Sequence, residues 1–161
     1  MNHSHATTDM RQGPSMFCFQ CQEAAGGTGC TIAGVCGKPE EVANLQDLLI
    51  YLLKGASFLA LDSELPEPIE RQLSVFTMNS LFATITNANF DRDFFVSQIR
   101  TALALRNAVR CCWNERHPGE AAALPDAARW EADEEILFAE KRSRWASSPP
   151  PTKTFAPCVS C

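Results

Sequence analysis

Four cysteines lie within nineteen residues near the start of this 161-residue chain, at Cys18, Cys21, Cys30 and Cys36, with the spacing C-x2-C-x8-C-x5-C. Five glycines lie between them or directly after the last one: Gly26, Gly27, Gly29, Gly34 and Gly37. A cubane iron–sulfur cluster needs four thiolates from a chain that wraps it closely and turns backbone N–H groups toward its sulfurs. Glycine permits such wrapping because it adopts positive φ angles. The pattern therefore predicts an iron–sulfur cluster-binding loop.

Three other interpretations of the thiols are open. A disulfide needs an oxidising compartment, and residues 1–17 contain no apolar stretch typical of an export signal, so we expect reduced thiols. Structural zinc usually uses two short Cys knuckles that lie some distance apart, whereas these two pairs are nearly contiguous. Four unrelated buried thiols would need an apolar element around them, which this polar loop lacks. Iron–sulfur binding is therefore the favoured hypothesis, followed by zinc.

After the loop, apolar residues recur every three or four positions, and no period-two strand pattern occurs. The predicted fold class is all-α, with the cysteine-rich loop followed by a bundle of three to four helices. Four helices are predicted. The first covers residues 39–60, the second covers residues 69–85, the third follows Asp91, and the fourth covers residues 126–143. We expect four segments: a disordered extension (1–15), the cluster-binding loop (16–38), the helical bundle (39–146) and an irregular Pro/Cys tail (147–161).

Local signals support the first and third helices. Pro39, Glu40 and Glu41 suit a first turn, because proline lacks an N–H and acids favour the positive end of the helix dipole. The expected buried face of the first helix consists of Val42, Leu45, Leu49, Leu52, Ala56 and Leu59. Asp91 is a predicted N-cap, with Phe90 and Phe95 as a hydrophobic staple across it. The expected buried stripe of the third helix consists of Phe95, Ile99, Ala102, Val109 and Trp113.

The other two helices are predicted from composition. Residues 69–85 are apolar on more than one side, which is typical of an inner helix of a bundle. The fourth helix is expected to bury Trp130, Ile136 and Leu137.

Two segments of the chain resemble a known family. They read MFCFQCQEAAGGTGCTIAGVCGKPEEVANLQDLLIYLLKG (16–55) and SLFATITNANFDRDFFVSQIRTALALRNAV (80–109). Both resemble the N-terminal region of the hybrid cluster proteins, also called hydroxylamine reductases or prismane proteins. The resemblance implies that Cys18, Cys21, Cys30 and Cys36 bind an electron-relay cluster. The eight-residue middle gap is similar to that of members with a [4Fe–4S] cluster, whereas members with [2Fe–2S] have a longer gap.

The resemblance also implies a function. Full-length members reduce hydroxylamine to ammonia, or reduce nitric oxide, at a hybrid Fe–S–O cluster held by later domains. Those domains are not found in this sequence, which resembles the front quarter to third of a member and is expected to be truncated and inactive alone, without catalytic residues. The implied role is an N-terminal electron-transfer part in nitrogen metabolism. Its implied partners are an electron-donor protein and a separate chain with the hybrid-cluster domains. The alternative is a free-standing helical Fe–S or zinc module that acts as a carrier or sensor.

Composition narrows the setting. The net charge of −5, with acidic and basic residues interspersed, argues against a nucleic-acid surface. The longest apolar run covers residues 48–53, far short of the roughly 20 residues that cross a bilayer, so no membrane segment is predicted. A cytoplasmic location is expected.

The remaining candidates are given ordinary interpretations. Cys158 and Cys161 are taken as an accidental pair in the tail, and His3 and His5 as residues of an extension without a metal site. Adjacent residues of one helix point about 100° apart, so packing is the default for Cys111 and Cys112. His117 is expected to have no role. Four arginines along the third helix are interpreted as its solvated side: Arg100, Arg106, Arg110 and Arg116.

Overall fold

The protein is described by a computed structural model that covers residues 16–86, 88–132, 138 and 141. Within these residues the helices are α1 (Glu40–Ala60), α2 (Glu67–Ile85), α3 (Arg92–Arg116) and a short α4 (Asp126–Arg129), with 3₁₀ turns at Ala25–Gly27 and Ala121–Ala123. The same residues contain no β-strand and one isolated antiparallel bridge. The all-α prediction is confirmed. The predictions for residues 1–15 and 147–161 lie outside the described residues and include those for His3, His5, Cys158 and Cys161.

Helix α1 forms the centre of the fold. It begins at Glu40, one residue later than predicted, because Pro39 has extended backbone angles (φ −66°, ψ 151°) and is the N-cap residue. All six residues of its predicted face are buried. Leu48 and Leu53, which flank that face, and Ala43 and Tyr51, on other sides, are buried as well. Since burial of apolar surface is the main stabilising contribution to folding, this nearly enclosed helix anchors the bundle.

Helix α2 lies at the surface, so the prediction of an inner helix is wrong. Its only buried residues are Leu73, Ser80 and Thr84, which face the rest of the bundle. Four apolar residues recur at three- and four-residue intervals on its exposed side: Val75, Met78, Phe82 and Ile85. Phe82 is 66% exposed. The prediction that this segment is apolar on more than one side is correct, but no described element covers the second apolar side.

Helix α3 packs along α1 and confirms the local predictions. The Asp91 carboxylate accepts hydrogen bonds from the N–H groups of Asp93 and Phe94, at 2.9 and 3.2 Å, and so caps the helix. Phe90 packs against the core cluster that contains Phe95, as the staple requires. All five residues of the predicted stripe are buried.

Arg106 corrects the prediction of a solvated arginine face. Its side chain is 0% exposed, whereas Arg100 and Arg116 are exposed and Arg110 is partly exposed. The guanidinium donates to the Ala127 carbonyl oxygen at 3.2 Å and lies 3.3 Å from a Glu131 carboxylate oxygen. Arginine is suited to such a site because its planar group can satisfy several acceptors at once.

The predicted fourth helix is interrupted. Helix α4 ends at Arg129, because Trp130 has extended backbone angles (φ −56°, ψ 134°). Phe138 and Lys141 are again helical, and the buried Phe138 joins the core between α1 and α3. Trp130 is partly buried against that core, while the predictions for Ile136 and Leu137 lie outside the described residues.

None of the helices in the described ranges combines the length with the apolar character that a transmembrane span requires.

Candidate metal centre

The cysteine-rich loop is folded back on itself at two of its thiols. The Cys18 N–H donates to the Cys30 carbonyl oxygen at 3.0 Å, and the Cys30 N–H donates to the Cys18 carbonyl oxygen at 2.9 Å. Met16, Cys30 and Ala43 form a small buried cluster against which Cys18 packs. Because Ala43 belongs to α1, this cluster fastens the loop to the start of the helical bundle.

Glycines make the turn between Cys21 and Cys30 possible. Gly26 and Gly27 have φ angles of 60° and 68°, and Gly29 has a φ of 138°. Such positive φ angles strain residues that have a Cβ. A Cβ at Gly29 would also lie 2.5 Å from Cε2 of Phe17. The predicted reason for the glycines, close wrapping of the chain, is therefore supported at these positions.

The Cys30 sulfur lies in surroundings that favour a thiolate. The Ala25 N–H donates to Cys30 Sγ at 3.5 Å. This hydrogen bond, the backbone N–H of Val35 and the positive charge of Lys38 lower the pKa of the Cys30 thiol against the opposing effect of burial. N–H groups aimed at a sulfur are what a thiolate-bound cluster needs, since they stabilise its negative charge.

Cys36 lies in a second tight turn at the end of the loop. The Gly34 N–H donates to the Lys38 carbonyl oxygen at 2.9 Å, and the Gly37 N–H donates to the Gly34 carbonyl oxygen at 2.9 Å. A Cβ at Gly34 would be 3.0 Å from Cys36 Sγ, so the backbone there passes close beneath the sulfur. Cys36 is exposed and Cys21 is partly exposed.

The structure brings the four predicted ligands together only in part. The backbones of Cys18 and Cys30 are hydrogen-bonded to each other. Within the described ranges, however, no group of three or more His, Cys, Asp or Glu side chains is arranged to hold one metal ion. All six cysteines in those ranges are free thiols. The donor set nevertheless fits an iron–sulfur cluster: one short loop carries four reduced thiols, glycine turns, and an N–H donor aimed at a sulfur. We therefore retain Cys18, Cys21, Cys30 and Cys36 as a prediction.

Lys38 is the residue at this site that the sequence interpretation missed. Its side chain is 0% exposed, and its ammonium donates to Cys18 Sγ at 3.8 Å and to Gln20 Oε1 at 2.9 Å. A third bond, at 3.5 Å, goes to the Thr84 carbonyl oxygen in the last turn of α2. The one available signal was its position two residues after Cys36, because the contact with Thr84 cannot be predicted from local sequence.

The other candidates lie away from the loop. Cys111 is exposed and Cys112 is partly exposed on α3, so neither is a core residue. His117 does have a structural role: it is the C-cap residue of α3, stacks on Trp113 with ring centroids 4.4 Å apart, and contacts the Asp62 carboxylate at 3.0 Å.

Comparison with known proteins agrees with the resemblance carried by the two sequence segments. A sequence profile of the Prismane/CO dehydrogenase family matches residues 16–145. A hydroxylamine reductase of Desulfitobacterium hafniense is 48% identical over 130 residues, which cover 81% of this chain and 24% of the relative. The hydroxylamine reductase of Nitratidesulfovibrio vulgaris is 48% identical over 132 residues, which cover 78% of this chain and 24% of the relative. The hydroxylamine reductase of Thermoanaerobacter pseudethanolicus is 54% identical over 96 residues, which cover 60% of this chain and 18% of the relative.

The chain spans about a quarter of the length of the curated relatives it matches. The matched range begins at Met16, includes the whole cysteine-rich loop and α1 to α4, and ends close to the predicted end of the helical bundle. This chain therefore belongs to the prismane, or hybrid cluster, family.

Proposed function

We propose that this chain is the N-terminal iron–sulfur electron-transfer part of a hydroxylamine reductase, in which Cys18, Cys21, Cys30 and Cys36 hold one [4Fe–4S] cluster. The observation that carries the proposal is the loop itself, where Cys18 and Cys30 are paired and the Ala25 N–H is directed at Cys30 Sγ. Family membership and the names of the relatives support the same function.

The residues of the loop have distinct tasks in this proposal. Bound to four thiolates, a cubane would accept and release single electrons without bonds being made or broken in a substrate. The Ala25 N–H stabilises negative charge on Cys30 Sγ, as hydrogen bonds to cluster sulfurs do. Met16 and Ala43 cover one side of Cys30 and exclude water from it. Cys36 is exposed, so an electron donor can approach the proposed cluster at that ligand.

The substrate reaction belongs to a larger assembly. Four protein thiolates leave no open position on a cubane, so reduction of hydroxylamine to ammonia needs a second centre. We propose that the hybrid-cluster domains supply this centre, either in a longer chain or in a separate one, and that an electron-donor protein feeds the loop. The exposed apolar residues of α2, including Met78 and Phe82, support contact with further polypeptide. The proposed setting is cytoplasmic nitrogen metabolism.

Metal analysis tests the proposal. Anaerobic reconstitution of the chain with iron and sulfide is expected to give about four irons and four sulfides per chain, with a brown chromophore and a reduced-state electron spin resonance signal. Alanine at any one of the four loop cysteines should abolish or convert the cluster. Cys111→Ala is the matched control, because its thiol is exposed on α3, and it should bind iron normally. One zinc per chain with no uptake of iron would contradict the proposal and favour a zinc module.

A second assay tests the division of labour. The reconstituted chain is expected not to release ammonia from hydroxylamine under anaerobic conditions with excess reductant. Cys36→Ala provides the background rate, since it lacks one proposed ligand. Ammonia release well above that background would show that the loop opens a substrate site of its own, and the electron-transfer role would have to be abandoned.

A further inference from the structure

The Lys38 ammonium is enclosed between the cysteine-rich loop and the end of α2. Its side chain is 0% exposed, and its three hydrogen-bond acceptors are Cys18 Sγ, Gln20 Oε1 and the Thr84 carbonyl oxygen. Thr84 lies in the last turn of α2, where carbonyl groups lack partners within the helix and attract cations. The helix end therefore holds the ammonium beside the loop.

This buried charge has no carboxylate at ion-pair distance among the residues that the structure describes. The charge of Lys38 does act on the carboxyl of Asp47, which lies on α1. Burial raises the pKa of Asp47 to about 6, and the charge of Lys38 opposes that rise without cancelling it. A buried ammonium is costly unless negative charge lies nearby. The Cys18 sulfur, a proposed cluster ligand, lies 3.8 Å from the ammonium.

We propose that Lys38 is a positioning residue that raises the reduction potential of the iron–sulfur cluster bound at Cys18, by holding a buried positive charge against that ligand. The inference rests on the proposed function, because it assumes that Cys18 is a cluster ligand. Lys38 itself ligates no metal. In the transfer, a reductant loses one electron, the cluster gains it, and no bond forms or breaks.

The physical reason is the change in charge on reduction. A cluster held by thiolates gains negative charge when it is reduced, and net charge and hydrogen bonds to the sulfurs set its potential. A unit charge several ångströms away, at an effective dielectric constant of about 20, shifts an equilibrium more than tenfold. Loss of the charge should therefore disfavour reduction at least tenfold, which is a fall of about 59 mV for a one-electron couple.

The experiment compares midpoint potentials of the reconstituted 161-residue chain and its variants by anaerobic redox titration, followed by electron spin resonance. Lys38→Gln removes the charge but keeps a hydrogen-bond donor, and Lys38→Met removes both. Lys38→Arg keeps the charge. Arg71→Gln is the control, since it removes one positive charge from an exposed position of α2. Iron content and circular dichroism show that each variant is folded and loaded.

The midpoint potentials of the two neutral variants are expected to fall by about 59 mV or more, which corresponds to a tenfold shift in the reduction equilibrium. Lys38→Arg should lie closer to the unmodified chain, and Arg71→Gln should have an unchanged potential. If Lys38→Met fails to fold, Lys38→Gln carries the comparison. An unchanged potential in loaded Lys38→Gln would overturn the inference while leaving the proposed function intact. Equal shifts in Lys38→Gln and Lys38→Arg would also overturn it, because the effect would not follow charge. Failure of the unmodified chain to bind iron would instead refute the proposed function.

Discussion

Gly55 is expected to be a position where even one added methyl group destabilises the bundle. It lies on α1 where α4 crosses, and a Cβ built there would be 2.1 Å from the Ala127 carbonyl oxygen and 2.4 Å from its carbon. These are backbone atoms, so no side-chain rotation can relieve the overlap. Helix α4 would have to move by roughly 1 Å to restore van der Waals distances.

The cost of Gly55→Ala follows from what that movement disturbs. Overpacking a well-filled interior costs about 1–3 kcal/mol. Displacing the Ala127 carbonyl weakens its 3.2 Å hydrogen bond from the buried Arg106, and bonds to charged groups contribute about 1.5–3 kcal/mol. Alanine regains about 1 kcal/mol over glycine through helix propensity. The net expectation is a loss of about 3 kcal/mol in the free energy of unfolding, the balance of these contributions.

Denaturant unfolding of the metal-free chain, followed by circular dichroism, measures this change as a lower midpoint at unchanged slope. Ser57→Ala, at an exposed position two residues along the same helix, is the control and should be neutral or stabilising by about 0.5 kcal/mol. A Gly55→Ala chain as stable as the unmodified one would refute the close packing of α4 on α1.

Three other predictions concern charge, backbone conformation and the tail. Folding raises the pKa of Asp47 from 3.8 to about 6, so the free energy of unfolding falls as pH rises through that range. Asp47→Asn should therefore stabilise the chain by about 2–3 kcal/mol at pH 7 and by almost nothing at pH 4. Urea unfolding at the two pH values measures this difference. Gly29→Ala should impair iron loading more than Gly27→Ala, since both have positive φ but only Gly29 would place a Cβ against another side chain; equal loading would contradict this. Replacing Cys158 and Cys161 together should leave iron content unchanged, and a loss of iron would assign them a role.

Local sequence predicted those features whose causes are local. The Asp91 cap depends on residues two and three positions away, and the buried face of α1 depends on the helical period. The exposure of α2 depended on whether another element covers Phe82, which no pattern within α2 encodes. Burial of Arg106 depended on acceptors at Ala127 and Glu131, about twenty residues along the chain.

The site divides in the same way. The spacing of the cysteines and glycines predicted a loop suited to close wrapping, and the pairing of Cys18 with Cys30 agrees with that. The spacing could not predict Lys38 as a member of the site, because its position depends on a carbonyl of α2 that the chain reaches much later.

The bond from Lys38 to Thr84 also has a consequence for the order of events during synthesis. The two residues are 46 positions apart, so the loop leaves the ribosome before its anchor on α2 does. Contacts between residues far apart in the sequence form late, because the chain between them must first be closed into a loop. During that interval the loop is held by its own turns and by the cluster of Met16, Cys30 and Ala43, while the Lys38 ammonium has no carbonyl of α2 to contact. In the proposed cluster site, the Lys38 ammonium should therefore reach its final place only once α2 is complete, and a chain that ends before Thr84 should lack that contact.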